Sequence, residues 1–196
     1  PIDLPSGRND FQPELNLTYS TGSGKSAFGL GWSLSVPGIA RKTSKGIPRY
    51  RDNADEPAEW DTFILSGAED LVPVGAWTYG SPDSGELRKI ENPTPNDFAG
   101  APVVQFQPRT EGLFARILHH RGGRSDYWKV FSKDGLVSTY GTPPPDDAAE
   151  HWQDPAVIAD PAQRERIFAW RLTETRDTFG NRIVYDYERN RVSEGG

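Results

Sequence analysis

The chain has 196 residues, 35% of them hydrophobic, with 20 Gly, 17 Pro, 6 Trp, 7 Tyr, 9 Phe and neither Cys nor Met. That size and apolar content suit one globular domain and exclude wholesale disorder; a formal net charge of −6 without a basic stripe argues against nucleic acid, short pairs such as Arg121 and Arg124 notwithstanding. No apolar run nears the ~18 residues of a membrane span, no Sec-type leader is visible, and the missing Cys removes disulfides and thiolate metal sites while leaving the redox compartment open.

Without Met, Pro1 reads as a trimmed or processed end. Residues 15–19, 32–36 and 39–43 alternate apolar with polar side chains between Gly-rich and Pro-Gly breaks, which predicts three strands. Residues 62–65 and 70–74 predict two more, with Ser66-Gly67 as their hairpin turn, and Pro73 assigns the second to a sheet edge or a strand end. Residues 75–102 dissolve into Ser, Pro, Asp, Asn and Gly and predict an exposed, variable connection. Order returns in a meander of strands at 103–106, 115–118, 127–131 and 136–140, with Gly135 taking the left-handed position of the turn Ser132-Lys133-Asp134-Gly135.

Residues 142–160 read as a second variable loop. Asp160 as N-cap and Pro161 as first helical residue predict a short helix over 160–166. Residues 167–176 alternate Phe168, Trp170 and Leu172 against Ala169, Arg171 and Thr173, a long strand with one apolar face. The turn that follows has Asp177 as side-chain acceptor, Gly180 for positive φ and Asn181 for the left-handed region. Beyond it Ile183, Tyr185 and Tyr187 share one face and Val184, Asp186 and Glu188 the other. An aromatic ladder gains most from a like ladder beside it, so this segment reads as one unit of a repeat, and the chain as cut from something longer. Units at 127–140 and 168–187 are related, without a strict period. The fold class expected is all-β and antiparallel, many short strands and hairpins in curved sheets, with at most one or two short helices.

Chemistry-bearing patterns are sparse. Gly24-Lys25-Ser26 resembles the end of a phosphate-binding loop, but Tyr19 stands where its first glycine belongs, and Ala27-Phe28-Gly29-Leu30-Gly31-Trp32 starts no helix; a connection between strands is the better reading. Asp52-Asn53-Ala54-Asp55-Glu56 and Asp146-Asp147 lack calcium-loop spacing and read as solvated loops. His119 and His120 are adjacent in a strand and so point to opposite faces, which with His151 alone elsewhere leaves no metal site. No Gly-x-Ser-x-Gly elbow exposes a nucleophile. Arginines such as Arg41, Arg116, Arg171 and Arg182 adjoin aromatic or strand segments, where guanidinium groups stack on rings or pair with carboxylates across a sheet.

Several longer motifs are distinctive: Pro5-Ser6-Gly7-Arg8-Asn9, Phe28-Gly29-Leu30-Gly31-Trp32-Ser33-Leu34, Arg41-Lys42-Thr43-Ser44-Lys45-Gly46-Ile47-Pro48-Arg49-Tyr50, Asp61-Thr62-Phe63-Ile64-Leu65-Ser66-Gly67 and Arg109-Thr110-Glu111-Gly112-Leu113-Phe114. Through them nearly the whole chain resembles the N-terminal domain of the Salmonella virulence plasmid protein SpvB family, also found at the start of the B subunit of bacterial insecticidal Tc toxin complexes. The resemblance implies one β domain over 1–196, with 75–102 and 142–160 as variable loops, from a larger toxin polypeptide. Its partners would be a downstream Rhs/YD-repeat shell, an enclosed toxin segment and other toxin-complex subunits, and its location secreted. The family's actin-directed ADP-ribosyltransferase lies C-terminal to this domain and needs a Glu-x-Glu pair, which the chain lacks. No catalytic residue, cofactor or metal is therefore expected. The expected function is a non-catalytic structural module, with Trp32, Trp128, Trp170, Tyr185 and Tyr187 as shell-packing aromatics and Asp177, Gly180 and Asn181 as the turn motif. The alternative is a glycan- or receptor-binding module that uses Trp77 and Trp152 in the variable loops.

Overall fold

A computed structural model describes residues 1–188 apart from 6, 9, 10, 23, 67–69, 81–85, 111–114, 122–125, 150 and 151. The chain opens with a ribbon in which β1 (Asn16–Tyr19) pairs with β4 (Trp32–Ser35), while the two-residue strands β2 (Lys25–Ser26) and β3 (Gly29–Leu30) pair with each other between them. Every later strand among the described residues belongs to one antiparallel sheet. Its strands are β5 (Gly38–Arg41), β6 (Phe63–Leu65), β7 (Asp70–Tyr79), β8 (Leu87–Ile90), β9 (Val103–Pro108), β10 (Arg116–His120), β11 (Tyr127–Phe131), β12 (Val137–Tyr140), β13 (Val157–Ala159), β14 (Ile167–Arg176) and β15 (Arg182–Val184).

The sheet closes on itself. In the order β5-β6-β7-β9-β10-β11-β12-β14, each strand is bonded to the next, and β14 returns to β5 through Ala169↔Ala40 and Trp170↔Ile39. The length of β14 makes closure possible: one edge carries β13 and then β12, the other β5 and then β15. An eight-stranded ring is just wide enough to be filled by side chains, and this one is. Registered neighbours that face inward include Ile39, Leu65, Phe63, Leu71, Val104, Phe106, Ile117, Trp128, Tyr140 and Leu172, all buried. Phe63 sits at the centre of the plug, edge-on to Trp128 at 4.9 Å, Phe106 at 5.7 Å and Trp170 at 5.8 Å.

The nearly all-β antiparallel fold is as expected, and five local expectations need correction, one being the loop over 142–160, whose residues Val157–Ala159 form β13 and pair with β14. Residues 75–102 are no exposed connection, since β7 runs on to Tyr79, pairs with β8, and leads to a helix α1 (Pro95–Gly100) whose Phe98 is buried edge-on to Trp60. The missed helix signal is Thr94-Pro95-Asn96-Asp97: Pro95 fills the first position and Thr94 and Asp97 form a capping box. No helix forms over 160–166; the Asp160 carboxylate accepts the Ala162 N–H, and its own N–H donates to the Arg166 carbonyl, closing the β13–β14 hairpin loop. Pro73 lies inside β7, in the gap where β6 has ended and β8 not begun, beside the register shift that separates it from Gly75. A residue without N–H is tolerated there because no ladder bond is asked of it. Finally β15 stops at Val184, although the Tyr185 N–H still donates to the Thr173 carbonyl at 2.9 Å. The expected turn residue Gly67 lies outside the described residues.

Candidate functional site at the polar mouth and the apolar ribbon

Two features stand out against this filled barrel: a charged cluster at one end and an uncovered apolar face on the ribbon. Arg41 ends β5 on the inward face, 4% exposed. Its Nε donates to the Ile167 carbonyl at 2.7 Å, Nη1 to Asp52 at 2.7 Å and Asp61 at 3.0 Å, and Nη2 also pairs with Asp52. Burial on its own would depress this guanidinium, but the bond to Asp52 and the fields of Asp52, Asp61 and Asp126 prevail and hold its pKa above the ordinary value. Asp61 also accepts the N–H groups of Arg49 and Tyr50, both at 2.8 Å, and so fixes Tyr50 at a φ of 55°, rare for a bulky residue. The Tyr50 ring lies 4.8 Å from the Arg41 guanidinium.

Arg121 is the second buried cation. It donates to the carbonyls of Ala101, Asp52 and Phe98 and lies 4.7 Å over the Trp60 ring, and desolvation, the largest influence, lowers its pKa. His119 stacks on Trp128 at 3.9 Å, and its Nε2 is 2.8 Å from Asp126 Oδ1, which also accepts the Trp170 Nε1–H at 2.9 Å. Above these groups lies an open cavity of about 890 Å³, rimmed by segments around Tyr50, Ala101, Trp152 and Arg164. The two guanidinium groups beneath it are consumed by carboxylates and backbone carbonyls, which is the chemistry of an interior tie. Among the described residues no group of three or more His, Asp or Glu is placed to hold a metal.

The ribbon is the reverse case. The registers Leu17↔Leu34 and Tyr19↔Trp32 gather four apolar side chains on one face, with the Tyr19 and Trp32 rings 5.4 Å apart. Nothing among the described residues buries that face: Tyr19 is 60% exposed, Trp32 42% and, on the neighbouring hairpin, Phe28 49% and Leu30 75%. This hairpin is the segment that resembled a phosphate-binding loop, and its Lys25-Ser26 is strand instead of helix.

The sequence-predicted aromatics thus separate. Trp128 and Trp170 lie 5.7 Å apart inside the ring at 0% exposure, so they fill this chain's own core and offer no surface to an enclosed chain. Tyr185 and Tyr187 are half-buried against the sheet, with the Tyr187 hydroxyl donating to the Leu172 carbonyl at 2.8 Å. Only Trp32 faces outward, on the ribbon. Asp177, Gly180 and Asn181 form the β14–β15 turn: Oδ1 of Asp177 accepts the N–H groups of Phe179 and Asn181, and Gly180 has a φ of 84°; Asn181 does not take the left-handed region expected of it, and its side chain instead donates to Asp177 Oδ2 at 2.7 Å. Trp77 belongs to β7 and is half-buried, whereas Trp152 lines the mouth. The expected pairing of Arg41 with carboxylates and its stacking on rings are seen, but its burial and its partners were not foreseen, and Asp52, expected in a solvated loop, is one of them. The available signal was Arg41, two places from Ile39 in an alternating run and therefore on the core face, where a cation requires buried partners. Arg124 and His151 lie outside the described residues.

The fold and its motifs have counterparts. The family described as Salmonella virulence plasmid 65kDa B protein, SpvB, matches residues 1–194. The chain belongs to the SpvB family. It is 30% identical over 199 residues to the mono(ADP-ribosyl)transferase SpvB of Salmonella typhimurium and to that of Salmonella dublin, covering 95% of this chain. It spans only 29% and 28% of the length of those two relatives. Among solved structures, the SpvB-family fold superposes on the N-terminal domain of effector protein SpvB from Salmonella typhimurium strain LT2 with a TM-score of 0.56 at 27% identity, over 85% of this chain and 47% of that one. It is similar to part of TcdB2-TccC3, with a TM-score of 0.66 at 28% identity over 96% of this chain and 8% of that one. The Photorhabdus luminescens Tc holotoxin pore also contains a counterpart, with a TM-score of 0.61 at 28% identity over 90% of this chain and 7% of that one.

Proposed function

We propose that this SpvB-family chain is a non-catalytic structural module of a Tc- or SpvB-type toxin polypeptide, contributing to a β shell that encloses or presents a C-terminal toxic enzyme. The observation that carries the reading is the ribbon: a wet apolar face on a domain whose own core is already complete. A two-stranded ribbon is marginal in water without something packed on it, and each large side chain it buried would contribute roughly 1.5–3 kcal/mol. The counterparts support the same direction, since a fold that makes up 8% of TcdB2-TccC3 sits within a far larger chain. The occupant of the ribbon is then the remainder of such a polypeptide, its Rhs/YD-type strands and toxin-complex subunits, and the module is exported with them. The transferase named in the Salmonella relatives belongs to the portion of those proteins that this chain does not span. The module is a plugged barrel, so it acts as a brick of the wall instead of the container itself.

Co-expression of the chain with the polypeptide that follows it in the full-length gene product tests this. Stable co-purification is expected, weakened by Trp32→Ser and Leu30→Ser while the melting temperature of the isolated chain stays unchanged. Failure of the wild-type pair to associate, with both parts folded, would refute the proposal.

A further inference from the structure

The cavity above the arginine tie has no part in the structural role, and its lining has a chemistry of its own. Three rings, Tyr50, Tyr79 and Trp152, share the cavity with Asp126, Arg164 and Glu165. At about 890 Å³ it lies within the ~300–1,000 Å³ of small-molecule sites. Exposed carboxylate and guanidinium stand on the same rim, which disfavours a polyanion and a polycation alike. A ligand with apolar ring faces for the aromatics and hydroxyls for both kinds of charged group satisfies the whole lining.

Two of these groups are already held in place. Asp126 is 34% exposed at its side chain; Oδ1 is engaged by Trp170 and His119, at 2.9 Å and 2.8 Å, and Oδ2 accepts no bond among the described residues. Its direction into the cavity is thus set by donors beneath it. Tyr50 is fixed by its N–H bond to Asp61 and by the Arg41 guanidinium under its ring. A wall ordered in advance lowers the entropic cost of ligand binding, and it gives the Tyr50 backbone, otherwise unfavourable, a use.

We propose that the mouth of the barrel is a binding site for a neutral saccharide of one to three rings, stacked on Trp152 and Tyr50 and hydrogen-bonded to Asp126. The inference does not depend on the shell reading, because ribbon variants report on one and mouth variants on the other. The test is calorimetry and tryptophan fluorescence on the whole chain titrated with N-acetylglucosamine, galactose, lactose and maltotriose, with inositol hexakisphosphate and spermidine as charged probes. Saturable binding of at least one neutral saccharide is expected, weakened about tenfold or more by Trp152→Ala and by Asp126→Asn. Phe179→Ala, on the distant β14–β15 turn, should leave it intact. Trp152 is on the rim, so its variant remains informative if Asp126→Asn unfolds. The inference is overturned if no neutral saccharide binds at millimolar concentration, if binding survives Trp152→Ala, or if a charged probe binds in the mouth more tightly than every saccharide.

Discussion

Arg41 and His120 show how a single side chain on this barrel acquires a consequence. Arg41 has its forked donors matched to Asp52, Asp61 and a carbonyl, so Arg41→Ala strands two carboxylates, and we expect a loss of ~3–5 kcal/mol in urea unfolding. Arg41→Lys should recover little of it, because an ammonium cannot span the same partners. His120 points outward, opposite to His119, stacked on Tyr127 at 4.5 Å with its Nε2 buried and unpartnered among the described residues. Desolvation first, then the charges of Lys129 and His119, pushes its pKa from 6.5 down to about 4. Between those values the unfolded chain binds the proton and the folded chain does not, so the His120 contribution is complete above about 6.5 and is lost as pH falls toward 4. The urea midpoint should therefore drop over that window, and less steeply for His120→Phe, which keeps the stack without the titration. Equal slopes would rule out His120 as the source. The opposite orientations of the two histidines were legible from adjacency alone, whereas the buried role of Arg41 was not, since its partners are supplied from 11, 20 and 126 residues away.

Among the elements, turns follow local chemistry closely and helices do not. The β14–β15 turn forms where Asp177, Gly180 and Asn181 specify it. Desolvation would raise the Asp177 carboxyl, but bonds from the Asn181 side chain and from the N–H groups of Asn181, Phe179 and Gly180 outweigh it and lower the pKa. The carboxylate therefore holds the turn above the usual Asp range and releases it as pH falls through its lowered value. The protection factors of the β15 amides, corrected for intrinsic exchange, should fall at acid pH while those of the β9 and β10 amides stay high, and Asp177→Ala should show the acid behaviour at neutral pH. Gly141, at the end of β12, has a φ of 74° with Trp170 Cδ1 3.0 Å from where a Cβ would stand, so Gly141→Ala should cost ~1–3 kcal/mol by thermal unfolding. The helix misassignment has a plain cause. Asp160-Pro161 and Thr94-Pro95 both look like helix starts, but only the second is followed by an apolar residue, Phe98, that the sheet can bury.

At the scale of the molecule, one ring closed by β14 buries an aromatic plug and leaves an apolar ribbon outside it. Trp128→Ala or Phe63→Ala should cost ~3–5 kcal/mol and make unfolding less cooperative, because each removes a ring from the centre of the plug. Leu30→Ser on the ribbon should stay within ~0.5 kcal/mol in the isolated chain and act only on association. If Leu30→Ser destabilised the isolated chain as much as a plug variant, the ribbon would belong to the core and the docking reading would fall.

Strand positions, most turns and the family itself could be read from residue order, because period-two alternation, Gly at positive φ, as at Gly135 and Gly180, and long motifs are local properties of the chain. Which side of each strand meets water is not local. It depends on ring closure, which sends Trp128 and Trp170 inward and leaves Trp32 outside, and on the meeting of Arg41 with Asp52, Asp61 and Ile167 across the barrel mouth. Burial and charge pairing are set by contacts between segments far apart in the chain, so they arise only once the eight strands have closed.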